Sequence, residues 1–217
     1  IVLKIADLQG RINLNNILHD DYAELVKRYF QEIIPQPVLI SPLADWLDGD
    51  TIPRPGGKED DTYLNEPTPF RAANRPMIDQ SELAILSGDK KSFAELPTHT
   101  LTTLSTPTPL NINTMLPELA PLLHPQLSIS QLEYIQATTP FQTIQEFLQS
   151  DLTAGLTINP TLLTVSSTHY QVDVDARFQD WHQPLSSRFS FNLVNGEILL
   201  IDRQVTLPAL PVDFQHP

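Results

Sequence analysis

The sequence predicts an α+β fold in which strands from both ends of the chain form one antiparallel sheet. Three observations lead to this prediction. Apolar and polar residues alternate in residues 1–15 and again from residue 160 onwards, as they do in half-buried strands. Between these regions the apolar residues recur at helical spacing, and 20 prolines divide the chain into short elements. The simplest arrangement is a large helical domain inserted between two parts of one sheet.

Hairpins are predicted at both ends of the chain. Residues 1–6 and residues 11–15 alternate around a short turn-like segment, which is typical of a hairpin. Near the other end, strands are expected in residues 169–176 and 189–201. Within the second range, Asn195-Gly196 is a strong signal for a tight turn between two antiparallel strands. These segments supply the strands of the predicted sheet.

Helical patterns occupy the middle of the chain. The clearest runs from Tyr22 to Ile33, where apolar residues recur at three- and four-residue spacing and form one stripe. We expect Asp20 or Asp21 to cap this helix and Pro35 to end it. Further short helices are predicted at residues 41–47, 79–86, 114–123, 128–135 and 141–148.

Composition excludes several classes of function. The net charge of −13 argues against nucleic acid and anionic membrane surfaces as partners, because both are bound by clustered Lys and Arg. The absence of cysteine excludes disulfides, thiolate metal sites and thiol catalysis. The sequence contains no run of 18 apolar residues, so it predicts no transmembrane helix. Because the first residues already have a strand pattern, we expect the native N-terminus to lie outside this sequence.

An acidic loop is the most informative segment of the chain. Seven carboxylates lie between Asp45 and Glu66, against two basic residues, Arg54 and Lys58. The same stretch contains several Pro and Gly residues, which favour turns. So many carboxylates repel one another at neutral pH. Such a loop either stays solvated or closes around a hard cation that binds oxygen ligands.

Other chemical sites receive little support from the sequence. The six histidines lack the paired spacing of a zinc site, and the motifs of nucleotide-binding loops and serine hydrolases are missing. Residues 110–143 resemble a helix-hairpin-helix unit, which binds DNA phosphates in other proteins. Here the turn at residues 124–126 has no glycine, and residues 110–163 contain no Lys or Arg. We therefore expect a structural use of this unit.

Five sequence blocks occur in an order that is typical of one known family. They are DLQGRINLNN at residues 7–16, DWLDGD at 45–50, GKEDDTY at 57–63, NRPM with the following SEL at 74–83, and LNINT at 110–114. With these blocks the chain resembles the minor pseudopilin K of bacterial type II secretion systems, the general secretion pathway protein K family. Lys58, Phe70 and Met115 depart from the family pattern, but no departure removes a carboxylate.

The resemblance implies a pseudopilin-like body with a large inserted α-domain. On this basis residues 1–18 form the first part of the body, residues 19–157 the inserted domain with the acidic loop, and residues 158–217 the strands that complete the body. The family's hydrophobic N-terminal helix is absent from this sequence. Any contact with a membrane would therefore be made by that helix alone.

The resemblance also implies a function without catalysis. It predicts a structural subunit that caps the tip of the type II secretion pseudopilus and helps to initiate its assembly and the export of folded proteins across the outer membrane. The expected partners are the minor pseudopilins I and J, with exported substrates as further candidates. The expected location is the periplasmic face of the bacterial inner membrane. The alternative is a calcium-dependent recognition module of the envelope, such as an adhesin or a substrate receptor.

One or two structural calcium ions are the cofactor that the resemblance implies. The candidate ligands in the matching blocks are Asp48, Asp50, Glu59 and Asp60, followed by Asp45 and Asp61. Their spacing is not that of an EF-hand, so it predicts no order of coordination. Magnesium is less suitable, because a cage of protein oxygens fits the larger and more flexible ion.

Three further features leave alternatives open. The pair Asp48 and Asp50 is compatible in principle with acid–base catalysis, but no substrate cleft is indicated. Aromatic residues beside the acidic loop are expected to pack beneath it, and a binding surface is the alternative; they are Trp46, Tyr63 and Phe70. The Thr- and Pro-rich residues 98–109 favour an extended connector, and a strip that contacts a partner is the alternative.

Overall fold

The computed structural model describes residues 1–34, 36–87, 96–138, 140–151, 153–178, 181–191 and 195–205. Their contacts define two compact units. The first consists of residues 1–8 together with the described residues from 167 onwards, and the second is Gln9–Ser166. The predicted domain boundaries follow residues 18 and 157, whereas the units divide after residues 8 and 166.

The strands and helices have the following bounds. The strands are β1 (Val2–Asp7), β2 (Ile12–Asn13), β3 (Leu101–Thr102), β4 (Leu110–Asn111), β5 (Leu163–Thr164), β6 (His169–Phe178), β7 (Trp181–Phe191) and β8 (Ile198–Val205). The α-helices are α1 (Ala23–Arg28), α2 (Ile40–Leu47), α3 (Asp60–Tyr63), α4 (Leu83–Ser87), α5 (Ala120–Leu123), α6 (Ile129–Thr138) and α7 (Ile144–Leu148). Short 3₁₀ turns, such as Pro37–Leu39 and Pro117–Leu119, lead into several of the helices.

The first unit is a four-stranded sheet in the order β1-β6-β7-β8. Every neighbouring pair is antiparallel, and the register places Val2 opposite Asp175 and Phe191 opposite Ile198. A register shift between Arg188 and Phe189 interrupts the last pair. The sheet thus combines the two ends of the chain, and the predicted α+β fold is confirmed.

The predicted hairpin at residues 1–15 is wrong. Strand β1 pairs with β6, while β2 pairs in parallel with β3 in the second unit. The segment between β1 and β2 is held by other residues, because Asn111 donates its backbone N–H to the Gln9 carbonyl and Leu116 donates to the Gly10 carbonyl. A Cβ at Gly10 would lie 2.3 Å from the Thr114 carbonyl oxygen, so glycine permits this close approach. Local alternation predicts a strand but does not identify its partner.

The second unit is built around one hydrophobic cluster. The predicted apolar stripe is confirmed in α1 and the π-helical turn that follows it at Tyr29–Ile33, where Leu25, Val26, Tyr29 and Phe30 are buried. The N-cap prediction is wrong, since the helix begins after Tyr22 without a side-chain cap. The predicted stop, Pro35, lies outside the described residues.

Short parallel ladders complete the second unit. Strand β2 pairs with β3, and β4 pairs with β5. Residues 98–109, expected to be an extended connector, therefore contain a paired strand and the 3₁₀ turn Thr98–Thr100. Because β2 and β5 find their partners inside this unit, its limits are wider than those of the predicted insertion.

Candidate metal site

The acidic loop is anchored by a helix at each end. Helix α2 carries Asp45 on its last turns and stops before Asp48, whose backbone is extended. Helix α3 begins directly after Glu59, and Asp60 is in its first turn. The loop therefore brings carboxylates from two helix ends and from the intervening chain into one region.

Three carboxylates converge in this loop. Asp48, Asp50 and Glu59 each offer one oxygen atom, and these atoms lie within 4.8 Å of one another. In the part of the chain that the structure describes, this is the one group of three or more acidic, histidine or cysteine side chains close enough to hold a metal ion. Three of the six candidate ligands thus lie close together.

Within this cluster Glu59 and one oxygen of Asp48 are buried, whereas Asp50 is exposed. Glu59 is only 3% exposed, yet neither of its carboxylate oxygens has a hydrogen-bond partner among the described residues. The Oδ1 atom of Asp48 is also buried without a described partner. A buried carboxylate that lacks hydrogen bonds is strongly destabilising unless a counter-charge compensates for it. The donor set therefore fits a hard cation that accepts oxygen ligands.

The electrostatics of Glu59 point in the same direction. Burial, followed by the charges of Asp45, Asp48, Asp50 and Asp60 in that order, raises the pKa of Glu59 to about 7. Both causes disfavour the ionised carboxylate. A bound divalent cation would reverse this effect, because it favours the charged form of its ligands.

Asp45 has a different role from the three converging carboxylates. It is completely buried and accepts a hydrogen bond from Arg54 Nη1 at 2.7 Å and others from the Arg54 backbone N–H. Arg54 also donates to Asp48 Oδ2. The hydrogen bonds to Asp48 and then to Asp45 raise the pKa of the Arg54 guanidinium. The contact with Arg54 therefore neutralises Asp45 and leaves the other oxygen of Asp48 unpaired.

The remaining two candidates lie outside the converging group. Asp60 accepts hydrogen bonds from Arg71 Nη1 at 2.5 Å and from the Ala72 backbone N–H at 2.9 Å. Asp61 is exposed in the first turn of α3. Both acids are well placed to stabilise the N-terminus of that helix. The structure thus assigns Asp60 a partner in the segment that follows α3.

Aromatic side chains pack beneath the loop, as predicted. The rings of Trp46 and Tyr63 meet edge to face at 5.4 Å, and those of Tyr63 and Phe70 stack at 5.0 Å. Trp46 Nε1 donates a hydrogen bond to Glu82 Oε2 at 2.9 Å. Because Trp46 and Tyr63 are buried, these rings form part of the core.

Sequence reasoning missed three residues that shape the site. Arg54 counted only as one of two bases in an acidic run, although it links Asp45 to Asp48. Gly57 allows the loop to approach Asp45, since a Cβ there would lie 1.8 Å from Asp45 Oδ2. Asn74 donates to the Asp50 backbone carbonyl across the loop. The one sequence signal for Asn74 was its place in the NRPM block, which is typical of the family.

Comparison with known proteins gives a consistent result. The family model described as "Type II secretion system (T2SS), protein K" matches residues 10–104. The type II secretion system protein K of Pseudomonas aeruginosa is 28% identical over 224 residues, which cover 97% of this chain and 66% of the relative. The protein of the same name from Klebsiella pneumoniae is 28% identical over 169 residues, which cover 68% of this chain and 52% of the relative. The chain therefore spans between about half and two thirds of the length of these relatives.

The fold is shared with a solved structure. A chain in the crystal structure of the GspK-GspI-GspJ complex from the enterotoxigenic Escherichia coli type 2 secretion system matches with a TM-score of 0.76 and 20% identity. The match covers 95% of this chain and 79% of that chain. None of the helices in the described ranges has the length and apolar character that a membrane span requires. The chain is thus similar in sequence to type II secretion system protein K and shares the fold of this solved chain.

Proposed function

We propose that this chain is a structural, non-enzymatic subunit that caps the tip of a type II secretion pseudopilus and helps to initiate its assembly and protein export across the outer membrane. The similarity to type II secretion system protein K and the sheet built from both chain ends support this role. The insertion Gln9–Ser166 adds a further argument. A subunit with so large an insertion is difficult to cover with another subunit of the same kind, so the last position in the assembly suits it best. Its expected place is the periplasmic face of the inner membrane.

Its partners in this role are the minor pseudopilins I and J. The support is the shared fold with a chain from a complex that contains GspI and GspJ. The test is to mix the three purified proteins and to analyse them by gel filtration. A ternary complex is expected. Three separate elution peaks at micromolar concentration would contradict the assembly role and favour a calcium-dependent recognition module.

Calcium binding is the second part of the proposal, and the unpartnered carboxylates carry it. Asp48, Asp50 and Glu59 would hold the ion, because one oxygen of each converges with the others. In addition, Oδ1 of Asp48 and both carboxylate oxygens of Glu59 are buried without a described partner. Calcium would supply the counter-charge that this cluster requires and would cross-link the end of α2 to the start of α3. The loop would then stabilise the fold through ligand binding rather than take part in a reaction.

Titration calorimetry of the chelator-treated chain tests this part directly. We expect calcium to bind and to raise the melting temperature, since a ligand at 100 times its Kd adds about 2.7 kcal/mol of stability. Magnesium at the same concentration should have a smaller effect, because it requires a more regular set of ligands. A chain with no heat of calcium binding and no change of melting temperature in chelator would contradict the proposal.

A further inference from the structure

The segment after α3 passes close to the acidic loop and contains an unusual residue. Asn74 has a φ of +46°, and it is the one non-glycine residue with a positive φ in the described parts of the chain. Asparagine tolerates this left-handed conformation better than most residues, but glycine adopts it more easily. Where a residue other than glycine holds this conformation, the contacts of its side chain are informative.

The side chain of Asn74 is only half satisfied. Its Nδ2 atom donates a hydrogen bond to the backbone carbonyl of Asp50 at 3.0 Å. Its Oδ1 atom is buried and has no hydrogen-bond partner among the described residues. Leaving a buried acceptor unpaired destabilises a fold by about 1–3 kcal/mol. The amide is thus attached to one residue of the carboxylate cluster while its oxygen remains unused.

The unpaired oxygen belongs to a local pattern. Six buried side-chain polar atoms lack a hydrogen-bond partner in the described residues, and four of them belong to Asp48, Glu59 and Asn74. All four are oxygens. Calcium takes six to eight oxygen ligands, and asparagine carbonyls are among the usual ones. Three carboxylates that contribute one oxygen each leave room for a neutral ligand.

We propose that Asn74 is a further ligand of the cation site and that its Oδ1 atom binds calcium together with Asp48, Asp50 and Glu59. The inference rests on the proposed calcium site. In this role the two ends of the amide act together, since Nδ2 holds the Asp50 backbone and Oδ1 binds the ion. The left-handed backbone is then the local cost of presenting the amide.

Two substitutions separate this role from a purely structural one. Asn74→Gly suits the left-handed backbone but removes both the oxygen and the nitrogen. Asn74→Asp keeps a ligand oxygen but loses the donor to Asp50. Asn65→Gly is a matched control, because Asn65 Nδ2 also donates to a nearby backbone carbonyl, that of Asp61, and lies outside the carboxylate group.

Calcium titration calorimetry and melting in chelator are measured for each chain. In chelator, we expect the melting temperature of Asn74→Gly to be close to that of the unchanged chain. Its affinity for calcium should be at least about tenfold weaker, because losing even a side chain that only supports a metal ligand weakens metal binding by about 10–100-fold. Asn74→Asp should bind as tightly as the unchanged chain or more tightly. Asn65→Gly should leave the affinity unchanged.

The results distinguish this inference from the proposal on which it rests. If the unchanged chain binds no calcium, both fail. If it binds calcium and Asn74→Gly binds equally well, only the assignment of Asn74 fails. If Asn74→Asp loses as much affinity as Asn74→Gly, the hydrogen bond to Asp50 is the whole contribution, and the oxygen is not a ligand.

Discussion

At the scale of single residues, close approach determines how the acidic loop folds. Gly57 lies so near to Asp45 that a Cβ would be 1.8 Å from Oδ2 and 3.0 Å from the Arg54 carbonyl oxygen. Asp45 in turn is buried and depends on Arg54 for its hydrogen bonds. A small residue at position 57 is therefore required for the contact that keeps a buried charge paired.

Gly57→Ala should destabilise the chain by about 1–3 kcal/mol, because the added methyl group displaces Asp45 from Arg54. Urea unfolding in chelator measures this effect without a contribution from calcium. Gly49→Ala is the matched control, since no atom lies within 4 Å of a Cβ at that position. The control should change stability by less than about 0.5 kcal/mol. Equal effects of the two substitutions would contradict the role of close approach.

His169 gives a residue-scale prediction about pH. Burial lowers the pKa of His169, and the Asp7 carboxylate opposes this shift more weakly. The unfolded chain therefore binds a proton at this position more readily than the folded one, and stability should fall as the pH drops below about 6.5. Above that pH both states are neutral here and the contribution is constant. His169→Gln should flatten the dependence on pH between 7 and 5 in urea unfolding, and an unchanged slope would contradict this assignment.

At the scale of elements, the loop between α2 and α3 separates acids that the sequence cannot tell apart. Six carboxylates were candidate ligands, but only Asp48, Asp50 and Glu59 converge. The others face Arg54, Arg71 or solvent. The separation follows from the helix boundaries, because residues before and after each boundary point in different directions.

Glu59→Gln should abolish the calcium-dependent rise in melting temperature. In chelator the variant should be at least as stable as the unchanged chain, because a buried amide is less costly than a buried, unpaired carboxylate. Asp61→Asn removes a charge two residues away at an exposed position and should retain the response to calcium. A normal calcium response of Glu59→Gln would show that the ion binds elsewhere.

At the scale of the whole molecule, the two units should respond to calcium differently. All three converging carboxylates lie within Gln9–Ser166. Ligand binding protects the parts of a protein that must open before the ligand is released. The consequence can be measured by amide hydrogen exchange with and without calcium.

We expect calcium to slow exchange in residues 45–63 and in the adjoining helices of the second unit. Exchange in the β6–β7 pairs of the sheet should be much less affected. The unchanged chain in magnesium provides the control for ionic strength. Equal protection of both units would contradict a local site and would indicate that calcium stabilises the fold globally.

Periodicity and residue order were enough to predict the α+β class, the apolar stripe of α1, the position of the acidic loop and the likeness to one family. These features depend on periodicity and on ordered blocks, which are local properties of the chain. The pairing of β1 with β6 and of β2 with β3 is visible only in the folded chain, since alternation does not specify a partner. The same limit applies to the acidic loop. The packing of separate segments determines which three carboxylates converge and which buried oxygens remain unpaired. It also brings Asn74 into contact with the backbone carbonyl of Asp50.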